Sequence, residues 1–366
     1  QQLLKYLMMS YKGTLLFIAK CLTITLEEKN RKEIEKQLKT TEIDWDAVVK
    51  VSTGHYVFPA LYCNLKRVNF LKYLPTDLVE YMIYFTDLNR ERNTQIIAQA
   101  KEINELLLEN KITPIFIKGT GNLLEGLYED IAERMLGDID LILNKRDAKK
   151  ADKILRDNKY SSHSVVPDNF RHLPRLTKLN KIAAIEIHTD LLIEEYRDEF
   201  NYVLIEKDVQ KINHAHVMGF ESQLALSILA NQINNDHFKY KDIFLRNAYD
   251  VFVLSKKTNT KTAFNKFNKL KHPLNCFLAI CFEVFNKPKS LEYNNTLKVT
   301  KHLNTFNKKL NNPAYRKIIN QGIEGKIRLS IIYKSLFDKE IRIWLIKRIT
   351  DKQWQKEKLV QLGLKT

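Results

Sequence analysis

The sequence predicts an α+β protein in which a small mixed sheet, residues 113–212, sits between a helical region over 1–112 and a helical domain over 213–366. Three observations lead there. Short β-branched and aromatic runs bounded by glycine, proline or polar residues gather in the middle of the chain. Apolar residues recur at helical spacing on both sides of them. The 366 residues, 44% hydrophobic and 28% charged, can bury a full-sized core, which sets aside a disordered or fibrous chain.

The elements follow in order. Leu3, Leu4, Leu7, Met8 and Tyr11 open at helical spacing. The apolar run from Leu15 to Leu26 is interrupted by Lys20, is too short to span a bilayer and is followed by no small-residue cleavage pattern. It therefore reads as a helix of a cytoplasmic protein with no membrane span. Asp44 stands as a cap before Trp45-Asp46-Ala47-Val48-Val49. Between Thr76 and Asn110, Met82, Phe85, Ile96, Ala100, Ile103 and Leu107 mark one long amphipathic helix, after which Pro114 introduces a strand. Ile115-Phe116-Ile117 and Asp138 to Leu143 read as strands, and Arg146 to Asn158 as a helix. Tyr160 to Val166, His172 to Leu179 and Ile182 to His188 are strand-like, the last two joined by a turn at Asn180-Lys181. From Glu221 the helical period returns, with Phe264, Phe267, Phe277, Ile280, Phe285, Ile331, Ile332, Leu336 and Leu345 expected inside. Cys21, Cys63, Cys276 and Cys281 have no metal-ligand spacing and read as buried reduced thiols.

The net charge of +17 favours polyanionic partners: nucleotides, nucleic acid or acidic membrane surfaces. The chemistry collects in the sheet. On a strand, Asp138 and Asp140 face the same way because side chains alternate. Two close carboxylates repel unless a proton or a cation lies between them, and a hard divalent cation such as Mg²⁺ is the usual answer. Ala184-Ile185-Glu186-Ile187-His188 repeats the pattern, with Glu186 and His188 sharing a face. Alone, each signal is weak: Asp-x-Asp occurs on many loops, and a single strand glutamate is more often salt-bridged than a ligand.

The combination is more specific. A glycine turn after one strand (Lys118-Gly119-Thr120), Asp138-Ile139-Asp140 on the next and Glu186 on a later one resemble the polymerase-beta-like nucleotidyltransferase superfamily, and within it a bacterial branch of uncharacterised members. Tyr128, Arg134, His172 and His188 match as well, and weaker similarity continues from Leu245 to Asp250. The firm resemblance spans about 118 to 188. Gly119-Thr120 stands where the superfamily usually has Gly-Ser or Gly-Gly. The spacing from Gly119 to Asp138 is longer than in most members, a length that the Lys-Gly branch shares.

The resemblance implies metal-dependent transfer of a nucleoside monophosphate from an NTP to an acceptor hydroxyl, with two Mg²⁺ or Mn²⁺ ions bound beside the NTP. Asp138, Asp140 and Glu186 would be the catalytic and metal-binding acids. Lys118, Gly119, Thr120 and Arg134 would meet the nucleotide, Thr120 also capping the helix that follows; for Arg134 a structural salt bridge to Asp138 or Glu133 is the alternative. His188, His172 and Asp250 would face the acceptor or support the site, Asp250 alternatively fastening the helical domain to the core. The acceptor stays open. Two other readings stand beside this one: a catalytically silent nucleotide-binding protein, and an RNA-binding or toxin–antitoxin-type partner using the basic helices. Three acids converging without a cation also imply self-repulsion, so Asp140→Asn is expected to cost no stability unless Asp140 sits in a buried ion pair.

Overall fold

The computed structural model describes residues 9–162 and 170–350, so Leu3 to Met8 and the later part of the Tyr160–Val166 run lie outside the described residues. Among the described residues, five α-helices precede the sheet: α1 (Tyr11–Cys21), α2 (Glu28–Thr40), α3 (Trp45–Gly54), α4 (Phe58–Arg67) and α5 (Thr76–Glu109). Their ends follow local chemistry. The Asp44 carboxylate accepts from the Ala47 N–H at 2.9 Å and caps α3 as predicted. Pro59 occupies the first turn of α4, where a missing N–H is harmless. The long helix α5 buries Met82, Ile96, Ala100, Ile103 and Leu107 along one side.

The strands β1 (Ile115–Phe116), β2 (Asp138–Ile142), β3 (Ala184–His188), β4 (Gln210–Ile212) and β5 (Ala215–Val217) form one sheet in the order β3-β2-β1-β5-β4. It is mixed: β1 runs antiparallel to β2 and parallel to β5, while β2 and β3 are parallel. Helix α6 (Lys118–Glu125) follows β1, α7 (Lys145–Asp157) follows β2, and α8 (Tyr202–Glu206) leads into β4. The fold is α+β, as expected.

Two departures from the predicted strands have physical causes. Residues 172–179 make no continuous strand. They touch β3 through the isolated pairs His172↔His188 and Leu176↔Ile185, and Pro174 between them has no N–H to extend a ladder. The turn expected beside them is present: Asn180 has φ 63°, and the Lys181 N–H donates to the Lys178 carbonyl at 3.1 Å. The β4–β5 hairpin was not read from the sequence. It turns through Asn213 and His214, both at positive φ, without the Asn-Gly pair that usually advertises such a turn.

The C-terminal helices are α9 (Phe220–Gln232), α10 (His237–Tyr240), α11 (Leu245–Leu254), α12 (Thr260–Asn265), α13 (Lys271–Val284), α14 (Leu297–Asn311), α15 (Pro313–Phe337) and α16 (Lys339–Thr350). Phe264, Phe267, Phe277, Ile280 and Phe285 are buried as expected. Ile332 and Leu336 are not core residues: they are 53% and 65% exposed, because α15 packs on α10, α14 and α16 and, among the described residues, nothing covers them. Helices from both ends of the chain share one core, in which Leu15, Ile18 and Leu61 cluster with Leu224, Phe252 and Phe285. A second core fills the space between α5, α7 and the sheet. The four cysteines are buried and free. Among the described residues, no helix is long and apolar enough to cross a membrane.

Candidate active site

The parallel register of β2 and β3 sets Asp138 beside Ala184, Asp140 beside Glu186 and Ile142 beside His188. Alternation then sends Ile139, Leu141, Ile185 and Ile187 into the second core. Asp138, Asp140, Glu186 and His188 are left together on the opposite face.

The turn from β1 into α6 brings a fifth group. Lys118 adopts φ 54°, a left-handed conformation unusual for a lysine, at the first position of α6. A Cβ on either of the next two glycines would crowd a neighbour, backbone at Gly121 and a movable side-chain methyl at Gly119. On Gly121 it would lie 2.7 Å from the Phe116 carbonyl oxygen, and on Gly119 it would lie 2.4 Å from a Leu136 methyl. Thr120 is buried between them. Its Oγ1 donates to the Asp138 carbonyl at 3.2 Å and accepts from the Asp140 N–H at 3.3 Å. Thr120 therefore ties α6 to β2 from inside the helix and does not cap it; Ile117 holds the cap position.

The acids are already neutralised by cations of this chain. The Lys118 ammonium donates to Asp140 Oδ1 at 2.6 Å, and His188 Nε2 lies 2.8 Å from the same oxygen. The Arg171 Nη1 lies 3.5 Å from His188 Nδ1. The Lys118 ammonium also lies 3.3 Å from Nε2, but at 2.8 Å from a carboxylate oxygen, which only accepts, Nε2 carries a proton aimed at Asp140. Arg175 Nη2 donates to Asp138 Oδ2 at 2.6 Å, and its Nε lies 3.5 Å from Glu186 Oε1. His172 meets the His188 ring edge-on at 5.4 Å between centroids, while its Nδ1 donates to the Leu173 carbonyl.

These contacts split the acids. Burial opposes the charge of Asp140, but Lys118 and His188 outweigh it and hold its carboxyl far below the usual range. Burial also opposes the charge of Glu186, but His188, whose Nε2 lies 3.6 Å from Oε2, and Lys118 outweigh it and hold its carboxyl below the usual range. Asp138 shifts upward: burial, then the charges of Asp140 and Glu186, prevail over Lys118 and Arg175. Asp140, Glu186 and His188 offer ligand atoms within 4.8 Å of one another, a set that could hold a cation. The Asp138 carboxylate is committed to Arg175 beside them.

This face borders a cavity of about 430 Å³. Lys118, Gly119, Asp138, Asp140, Arg171 and Glu186 line one part of it, and Ser227, Asn231, Asn234, Arg246 and Asn247 of the C-terminal helices line another. Arg134 and Asp250 also reach it. Arg134 Nε donates to both Asp250 oxygens, at 2.9 and 3.0 Å, and the Tyr128 hydroxyl donates to Asp250 Oδ1 at 2.5 Å. The partner of Arg134 is thus Asp250, not Asp138 or Glu133, and Asp250 fastens α11 to the sheet-bearing core. Glu133 pairs instead with Arg67 of α4 and accepts from the Tyr249 hydroxyl.

The sequence reading assigned no role to Arg171, Arg175, Gly121 or Arg246. Arg171 and Arg175 share strand parity on a run that turns back against the acid-bearing strand, a usable sign that cations would meet Asp138 and Glu186. Nothing local marks Arg246. A family model described as an uncharacterised nucleotidyltransferase matches residues 41–284, more than half of the chain, from the approach to α3 through α13 and so across both parts of the cavity wall. No curated protein matches the chain. The chain belongs to this family of uncharacterised nucleotidyltransferases.

Proposed function

We propose that this nucleotidyltransferase moves a nucleoside monophosphate from an NTP to an acceptor hydroxyl, with divalent metal ions as cofactor and Asp138, Asp140 and Glu186 as the acids that hold them. The observation that carries the reading is the β2–β3 register, which aligns Asp140 with Glu186 on the face that borders the cavity. Asp140 and Glu186 already gather ligand atoms beside His188, and with Asp138, once it leaves Arg175, they would make a carboxylate-rich set that suits a hard cation such as Mg²⁺ or Mn²⁺. The ion pairs Lys118–Asp140 and Arg175–Asp138 support the same conclusion, because they put positive charge where such ions would contribute it.

In the reaction the acceptor oxygen bonds to the α-phosphorus as the bond to the bridging oxygen of the β-phosphate breaks, and pyrophosphate leaves with that electron pair. Divalent ions, when bound, offset the charge on the attacking and leaving oxygens. Glu186, ionised, takes the proton of the acceptor hydroxyl. His188 orients Asp140 through its Nε2–H. Lys118 exchanges Asp140 for phosphate oxygens, and Gly119, with no Cβ, lets the backbone approach them. The cavity lies where the sheet-bearing core meets the C-terminal helical domain. The four free thiols support the reducing cytoplasm as its compartment.

The test is incubation with a cell lysate and Mg²⁺, using NTPs labelled on the α- or the γ-phosphate. The α-label is expected on an acceptor, and EDTA or Asp140→Asn should abolish its transfer. Transfer of the γ-label instead, or α-label transfer that survives Asp140→Asn, would refute the reading.

A further inference from the structure

Arg246 is a cation on the cavity wall that has no task in the proposed reaction. Its Nη1 reaches the Met135 carbonyl at 3.4 Å, its Nε is buried with no hydrogen-bond partner, and among the described residues no carboxylate pairs with it. The other lysine and arginines lining the cavity are engaged: Lys118 by Asp140, Arg134 by Asp250, and Arg171 with His188 while facing three acids. Burial, reinforced by the neighbouring charge of Arg134, pulls Arg246 down to about 10, which reports an environment hostile to its charge. The side chain is nevertheless held in place. Its guanidinium carbon lies 5.3 Å from the Tyr56 ring and 5.4 Å from the Phe244 ring, one from the N-terminal helices and one from the segment leading into α11.

A fixed guanidinium with unused donors beside a polar cavity is completed by an anion. We propose that Arg246 is the phosphate anchor of the cavity, binding phosphate oxygens of the ligand that also meets Gly119 and Arg134. This rests on the reading that an NTP occupies the cavity. The shared chemistry is a phosphate group, whose source is the polyphosphate tail of the nucleotide or a phosphate carried by the acceptor. The tail is favoured because Gly119, where the backbone is bare, and Arg246 border the same space.

The experiment is calorimetric titration of the full chain in Mg²⁺ buffer, for wild type, Arg246→Gln and Arg246→Lys. The probes are inorganic tripolyphosphate, an NTP, the corresponding unphosphorylated nucleoside and a sugar phosphomonoester. Arg246→Gln should weaken tripolyphosphate and NTP by about tenfold to a hundredfold and leave the nucleoside unchanged, with partial recovery in Arg246→Lys. A loss confined to the phosphomonoester keeps the anchor and moves its phosphate to the acceptor. Ligand-free Arg246→Gln should melt at or above the wild-type temperature, since a half-buried charge with no carboxylate partner has been removed. Equal affinities for every phosphate probe in wild type and Arg246→Gln overturn the proposal, as does a wild type that binds none of them. If Arg246-dependent binding persists and no transfer to any acceptor occurs, the reaction proposed above fails while this site stands. If transfer persists and phosphate binding ignores Arg246, the site alone fails.

Discussion

The pairs that brace Arg134 and the pairs on the acidic face of the sheet border the same cavity, yet they are built differently. In the brace, the side chains of Arg134 and Asp250 are 6% and 2% exposed, and Tyr128 and the Met135 carbonyl take up further hydrogen-bonding capacity. On the acidic face, Lys118 is 24% and Arg175 45% exposed, each reaching inward from solvent to a buried or half-buried acid. A pair so deeply buried is costly to break, because breaking it strands a charge. A cation that reaches in from water can leave again at small cost. The first set holds the C-terminal helices on the core, and the second keeps an acidic site neutral until a ligand arrives.

Breaking the brace is the largest expected effect. Asp250→Asn leaves the Arg134 charge buried without a carboxylate, and denaturant titration should show about 3–5 kcal/mol of lost stability. A loss under ~1 kcal/mol would mean that water or another acid rescues Arg134 and that the two sets do not differ in kind.

Asp140→Asn comes next, and here the structure reverses the expectation drawn from repulsion. Asp140 is not the uncompensated member of an acidic cluster, since it holds both Lys118 and His188. In EDTA the substitution should cost about 1–3 kcal/mol, as bonds to a charged group are lost. Transfer should fall by about 10²-fold or more. The folded pKa of Asp140 lies below that of the unfolded chain, about 3.9. Its stabilisation is therefore fully present above that value and is lost as pH falls through the folded value. The stability gap between wild type and Asp140→Asn should be constant near neutrality and shrink below about pH 4; a gap that widens on acidification would contradict the assignment.

What the sequence made legible was whatever rests on short-range periodicity. Two alternating strands with Asp138, Asp140, Glu186 and His188 on one face follow from a period of two, and the cap at Asp44 and the length of α5 follow from local chemistry. Charge partners were not legible. The salt bridge weighed for Arg134 as the alternative to a nucleotide contact was to Asp138 or Glu133, its neighbours in sequence, and its partner is Asp250, 116 residues away. Arg175 meets Asp138 across 37 residues of chain. Such pairs are set by how α11 and the residues before β3 fold back, which no local pattern encodes. The same limit explains Ile332 and Leu336: their spacing shows an apolar face on α15 but not whether anything covers it.

Arg175→Ala should matter little to the fold. Its guanidinium is well exposed, so the loss is about 0–1 kcal/mol by denaturation. With that neighbour gone, the Asp138 carboxyl should titrate at still higher pH, which carboxyl NMR would record. A loss of several kcal/mol would place Arg175 with the brace.

Asp138→Asn has the smallest expected effect on stability, and its sign is the sharpest test of the comparison. Asp138 lies two residues from Asp140 on the same face, but its pKa is raised where that of Asp140 is lowered. A carboxyl with a raised folded pKa is bound more tightly in its protonated form. Its favourable contribution is present at low pH and is lost as pH rises from the unfolded value, about 3.9, through the folded one. At neutral pH the ionised Asp138 therefore works against the fold, and an amide, which mimics the neutral acid, removes that burden. The substitution frees Arg175, but that side chain is exposed and returns to water. Denaturation in EDTA at pH 7 should find Asp138→Asn as stable as wild type or slightly more so, with the difference shrinking as pH falls through the raised folded value and gone below the unfolded one, about 3.9. Transfer should still fall sharply, because a neutral amide is a poor cation ligand. If Asp138→Asn instead lost as much stability as Asp140→Asn, Arg175 would be gripping Asp138 as firmly as Lys118 grips Asp140. The repulsion inferred from Asp-x-Asp would then have no residue on which to act.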